Sequence, residues 1–193
     1  ALAPHAEQLR TRPSPTPTPR ARPPVPTPVL PRPPADAPPT RLIIPKIQLD
    51  TPVSPVAAKT VERNGHVRVI WDTLPRVASF HETSAYPGHP GNTVINGHRD
   101  IEGSVFLHLN EVEVGDRIIL YVGDIAYPYD VAEILVVRYT LASAAQQAEH
   151  QRLLNYLPEE RLTLVTCTPV GLATHRLYVI AKPPLSFGSR RPE

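Results

Sequence analysis

Proline divides this chain into two unlike parts. Fourteen of its 26 prolines lie before Thr40, interleaved with Thr, Arg and Ala, and Leu and Val are the only large apolar residues among them. Proline lacks the amide proton that a helix or a sheet ladder needs, so such a segment favours extended polyproline II stretches over packing. Residues 1–40 are therefore expected to be a linker outside the core, 41–183 the folded domain and 184–193 a short tail. A length of 193 residues fits one domain. The part after the linker is long enough to bury a good core.

After Thr40 the chain breaks into short runs rich in Val, Ile and Leu, punctuated by Gly, Pro and Asn. The runs are 41–49, 66–71, 93–98, 117–122, 129–139, 162–167 and 175–181. That pattern predicts a mainly β fold, an antiparallel sheet closed into a barrel. Two segments read differently. Residues 103–109 predict one or two helical turns, and 143–157 predict a helix with Ser143 as its cap and Pro158 as its stop. No internal repeat is present.

Charge excludes some functions. Five arginines against Glu7 and Asp36 give the first forty residues +3, and the remainder carries −1 of the overall +2. The positive charge is not interleaved with aromatic residues, so no nucleic-acid module is indicated. His81, Glu82, His89, Asp100 and Glu102 show no zinc-type spacing and there is no second Cys, so neither metal nor other cofactor is expected. No window is apolar enough for long enough to span a bilayer.

The single cysteine carries most of the chemistry. Cys167 ends the apolar, β-branched run Thr163-Leu164-Val165-Thr166-Cys167, and Pro169 should stop the strand and leave the thiol at a barrel rim. A free Cys is commonly a small buried hydrophobe. At a strand end it is a candidate nucleophile, provided that a base or a cation activates it. His98 follows the apolar Thr93-Val94-Ile95 and a Gly97 that permits a sharp turn, so it is the candidate base. Arg176 opens the next run, where its permanently charged fork suits a developing oxyanion. His175 is the rival at that position, but strand alternation lets only one of the two face the thiol.

Thr163-Leu164-x-Thr166-Cys167, with Gly97-His98 before it and Arg176 after it, resembles the sortases, the cell-wall transpeptidases of bacteria. The resemblance covers roughly residues 41–182 and implies a sortase-like β-barrel with His98, Cys167 and Arg176 as catalytic residues. It implies cleavage of a Leu-Pro-x-Thr-Gly type sorting signal through a thioester, followed by transfer to an amine acceptor, a cell-wall precursor or a pilin lysine. It also implies a place on the extracytoplasmic face of the bacterial membrane, with an anchor expected upstream of Ala1. Thr166 and Thr168 beside the thiol are candidate substrate contacts. Leu153 and Leu154 of the predicted helix are expected either to pack on the barrel or to receive the Leu-Pro part of the signal. The stretch 166–177 is similar to pilus-building sortases, yet the Asp-Pro-aromatic tripeptide of the lid that those often carry does not occur in this sequence, so a housekeeping enzyme is equally open. Two alternatives stand beside this reading: a catalytically silent wall-binding or stalk protein, and a wall cross-linking enzyme of the L,D-transpeptidase kind, whose Ser-x-Gly-Cys motif is missing.

Overall fold

The computed structural model describes residues 32–63 and 66–184. Among the described residues ten strands and one α-helix follow in chain order: β1 Arg41–Ile44, β2 Leu49–Val56, β3 Ala58–Arg63, β4 His66–Trp71, β5 Ala78–His81, β6 Gly91–Asn96, β7 Arg117–Val122, β8 Ile125–Arg138, α1 Ala144–Leu154, β9 Glu160–Thr168 and β10 His175–Lys182. Eight of the strands close a barrel in the order β1-β2-β5-β6-β9-β10-β8-β7, while β3 and β4 form a separate hairpin. The mainly β barrel expected from the punctuation is therefore the fold.

Its pairing is not purely antiparallel. β2 runs parallel to β5 and β6 runs parallel to β9. Parallel neighbours need long crossovers, and the hairpin of β3 and β4 lies in one of them. Three strands escaped the sequence pattern. β2 holds Pro52 and Pro55, β3 is the polar run Ala-Lys-Thr-Val-Glu-Arg, and β5 has only 4 residues. The expected single strand over 41–49 is broken by a 3-10 turn at Pro45–Ile47 and by Gln48 at φ 53. The expected helical turns over 103–109 are instead a turn-rich loop leading into a 3-10 turn at Leu109–Glu111.

Alternation sorts side chains to the two faces of the sheet. Leu162 and Leu164 of β9, with Leu177 and Val179 of β10, join the main core inside the barrel. Val165 of β9, with Tyr178 and Ile180 of β10, points outward into a second cluster closed by Leu153 of α1. Helix α1 begins at the predicted cap: Ser143 accepts from the Gln146 amide while the Gln146 side chain accepts from the Ser143 amide. Such a box stabilises a helix by about 1 kcal/mol. Since Leu153 is the only fully buried side chain of α1, its docking rests heavily on polar groups. Arg161 and Asn92 both donate to the Leu153 carbonyl, at 2.8 and 3.0 Å. These donors satisfy carbonyls that the helix end leaves unpaired and set a cation at its negative pole.

The described end of the proline-rich segment also packs, contrary to a linker that stops at residue 40. Ala35 is buried in the main core, its amide donates to the Pro87 carbonyl at 2.9 Å, and Tyr127 donates to the Pro33 carbonyl at 3.0 Å. The earlier part of the expected linker and the tail beyond residue 184 lie outside the described residues.

Candidate active site

The parallel register of β6 and β9 runs from Gly91↔Glu160 to Asn96↔Val165. Beyond it the Gly97 amide donates to the Val165 carbonyl at 3.3 Å, and the Thr166 hydroxyl donates to the Gly97 carbonyl at 2.7 Å. The chain is thus tied to β9 up to the residue before His98, just where β9 reaches Cys167. Gly97 serves this junction by its lack of a side chain rather than by a left-handed backbone. A Cβ there would stand 2.7 Å from both the Phe106 ring and the Val105 side chain.

Cys167 pairs directly with Arg176 across β9 and β10, and His175 pairs with Thr168. Because Val165 and Tyr178 face outward, Cys167 and Arg176 face outward too, each two residues further towards the strand end. The thiol is half-buried. The site lies on the outer face of the sheet at the end of the barrel, beside the helix, and not over the barrel's interior.

His98 is held at one nitrogen. Its Nε2 lies 3.1 Å from the Thr73 carbonyl and 3.0 Å from Oε2 of Glu102. Both partners are acceptors, so Nε2 carries a proton and Nδ1 is the atom left to exchange one. Glu102 reaches this position at φ 51, between Arg76 at φ 64 and Ser104 at φ 48, with the Arg76 amide bonded to the Glu102 carbonyl at 2.7 Å. Asn96 anchors the same crossover, donating to Asp72 O at 3.0 Å and Thr73 Oγ1 at 2.8 Å.

The Arg176 guanidinium stacks on the Tyr139 ring, 3.8 Å from its centroid. Its two hydrogen bonds, to the Ala173 and His175 carbonyls, are long at 3.5 and 3.4 Å. Among the described residues no carboxylate pairs with it.

Three of the four candidate substrate contacts are placed for other work. Thr166 is buried with its hydroxyl spent on Gly97, and Thr168 accepts from Arg99 on the face opposite the thiol. Leu153 is fully buried in the helix cluster, which leaves Leu154, packed at that cluster's margin, as the only one of the pair with surface to offer. Two neighbours went unread in the sequence. Arg99 is buried and donates to Thr168, to Asn110 Oδ1 at 2.7 Å and to the Leu107 carbonyl at 3.4 Å. Asp100 accepts from the Gly171 amide, so the loop after His98 is fastened to the loop after Cys167. An acid four residues after His98 was visible as spacing; nothing local marked Arg99. The cleft at this end lined by Gln48, Asp50, Arg76 and His108 does not include Cys167.

This chain belongs to the sortase family: the family model of the sortase domain matches residues 42–184. Sortase SrtE1 of Streptomyces coelicolor is 28% identical over 143 residues, 73% of this chain and 39% of that protein. Sortase D of Bacillus subtilis is 29% identical over 114 residues, 58% of this chain and 52% of that protein. The chain thus spans about half or less of the length of these relatives. Among solved structures, Sortase A from Corynebacterium diphtheriae is 26% identical with a TM-score of 0.59, covering 81% of this chain and 65% of that one. Sortase C-1 from Actinomyces oris is 25% identical with a TM-score of 0.58, covering 74% and 72%. These likenesses cross several named subclasses and single out none.

Proposed function

We propose that this protein is a cysteine transpeptidase that cleaves a sorting signal of the Leu-Pro-x-Thr-Gly type and passes the released acyl group to an amine. The observation that carries this reading is the direct pairing of Cys167 with Arg176 on the outer sheet face, at the end of β9 to which the segment ending in His98 is bonded. Family membership supports it.

Cys167 Sγ attacks the Thr carbonyl carbon of the signal, and the oxygen gathers negative charge under the Arg176 guanidinium. The Thr–Gly C–N bond breaks, and the departing amine takes a proton from His98. The incoming amine then attacks the thioester carbon and gives a proton to His98, the C–S bond breaks to release the Cys167 sulfur, and the Cys167–His98 pair returns with the single proton that it began with. Water in place of the amine gives hydrolysis.

The acceptor is an amine of a cell-wall precursor or of a pilin lysine. The working place is the extracytoplasmic face of the membrane, with the proline-rich residues ahead of the barrel as a spacer. Among the described residues no helix is long and apolar enough to cross a membrane, so anchoring rests on the family resemblance alone.

Cys167→Ala tests the reading. The variant is expected to keep the parent's melting temperature, since deleting one sulfur from a half-buried strand end leaves little cavity, and to lose cleavage of a quenched Leu-Pro-x-Thr-Gly type peptide entirely. Cleavage by the folded variant near the parent rate refutes the mechanism.

A further inference from the structure

An arginine that stabilises an oxyanion must meet two demands that conflict. It must be fixed in place, and its N–H groups must stay unoccupied until the oxyanion forms. A carboxylate partner would fix it by taking those N–H groups. A π face fixes it differently, since stacking uses the plane of the guanidinium and leaves the donors around its edge free. Arg176 has the second arrangement. Tyr139 lies 3.8 Å below it, and its own hydrogen bonds are at the limit of length.

The ring beneath it is itself braced. Tyr139 follows the end of β8 directly, and its amide donates to the Thr174 carbonyl at 2.9 Å, which ties it to the residue that precedes β10. The His150 ring of α1 meets the Tyr139 ring edge-on, with centroids 5.6 Å apart at 79°. His150 is pinned at both nitrogens, Nε2 to the Arg138 carbonyl at 2.9 Å and Nδ1 to the Tyr178 hydroxyl at 2.7 Å. Because the Arg138 carbonyl can only accept, Nε2 carries the proton and Nδ1 accepts from the Tyr178 hydroxyl, which burial keeps protonated. Tyr139 is 43% exposed and belongs to neither buried cluster, so the chief contacts of its ring are Arg176 and His150.

We infer that Tyr139 is a positioning residue for the reaction: its ring face, steadied by His150, holds the Arg176 guanidinium on the outer sheet face at the start of β10, the strand that pairs with Cys167, with its N–H groups free of any carboxylate among the described residues. This rests on the oxyanion role proposed for Arg176. A cation–π contact contributes about 0.5–2 kcal/mol, or about 2- to 30-fold in rate if it is used fully in the transition state.

The test is a set of variants assayed on a quenched Leu-Pro-x-Thr-Gly type peptide, with melting temperatures alongside. Tyr139→Leu and Tyr139→Gln are expected to lower kcat about 10-fold with KM within about twofold and melting temperature little changed, while Tyr139→Phe, which keeps the ring face, stays within about twofold of the parent. In an Arg176→Ala background, Tyr139→Leu should cost nothing further. If Arg176→Ala lowers turnover about 100- to 1000-fold but Tyr139→Leu and Tyr139→Gln leave kcat unchanged, the inference fails and the oxyanion reading stands. An equal loss from Tyr139→Leu in both backgrounds also overturns it, since the ring would then act without Arg176. Near-parental turnover by Arg176→Ala overturns the oxyanion reading and the inference together.

Discussion

The two ends of the barrel turn their backbone at different cost. At the base, around the start of β9, the backbone positions with positive φ are glycines: Gly88 at 82°, Gly91 at 126° and Gly123 at 56°. Polar groups there are satisfied in pairs. Glu160 accepts from the Gly88 amide at 2.8 Å and from the Tyr129 hydroxyl at 2.7 Å, and His89 donates to the Ala35 carbonyl at 2.8 Å. Burial first, then the Glu160 charge, holds the Tyr129 hydroxyl far above its ordinary range, so it stays a donor. At the other end, where β9 delivers Cys167, Gly103 and Gly171 take positive φ too, but among the described residues so do six that are not glycine: Gln48, Arg76, Glu102, Ser104, Leu141 and Ala173. Each costs about 1 kcal/mol or more relative to ordinary backbone. The Asn96 side-chain oxygen there is buried without a partner among the described residues. One end is relaxed and closed by residues 33–40; the other holds strain around the proposed chemistry. Stability and turnover should therefore respond to different positions.

Two glycine substitutions can break that contrast, and the larger effect belongs to Gly97. Gly97→Ala drives a Cβ against the Phe106 ring at 2.7 Å, with His98 as the next residue. Displacing a reacting group by about 1 Å costs roughly 100-fold in rate, so kcat/KM is expected to fall about that far while overpacking takes about 1–3 kcal/mol of stability. At the base, Gly88→Ala places a Cβ 2.9 Å from the Pro34 Cα at φ +82. About 1–3 kcal/mol of stability should be lost in a urea titration, with kcat/KM on a short peptide unchanged. Loss of turnover in Gly88→Ala with no loss in Gly97→Ala would end the distinction between the two ends.

A smaller effect sharpens it from between the ends. His81 is buried against Trp71, stacked at 4.2 Å and 12°, and its Nε2 has no partner among the described residues. Burial lowers its pKa from 6.5 to about 3, so it is neutral in the fold. Below pH 6.5 the unfolded chain takes up a proton there that the folded chain refuses, so stability falls as pH drops from 6.5 towards 3. The slope is at most about 1.4 kcal/mol per pH unit. His81→Phe keeps the stack and removes the titration. Its stability relative to the parent should rise by about 1–2 kcal/mol between pH 7 and pH 5, and a constant difference would mean that His81 is hydrated or paired.

Much of the fold, and the elements that carry the candidate site residues, could be read from the sequence, because the signals were local. β-branched runs between glycines and prolines marked most barrel strands, and Ser143 marked its helix. Alternation left room for only one of His175 and Arg176 beside the thiol, and the register places Arg176 opposite Cys167. What escaped depends on partners distant in sequence. β2 reads as a poor strand because of Pro52 and Pro55, and is held as one between β1 and β5. The docking of α1 depends on Arg161 and Asn92, which no helical pattern discloses. Thr166 looked like a substrate contact by adjacency to Cys167, yet adjacency in a strand means the opposite face. Residues 33–40 read as linker by composition, and become wall because Gly88 and Tyr127 meet them.

The central claim is that Cys167, at the strained end, carries the acyl group between signal and acceptor. Intact-mass measurement after acid quench of the protein incubated with a Leu-Pro-x-Thr-Gly type peptide tests it most directly. The expected result is an adduct with the mass of the peptide up to its Thr, mapped to Cys167, discharged by hydroxylamine at neutral pH and absent from Cys167→Ala. Peptide cleavage that proceeds with Cys167 unmodified at every time point, or an adduct that maps elsewhere, would contradict the account.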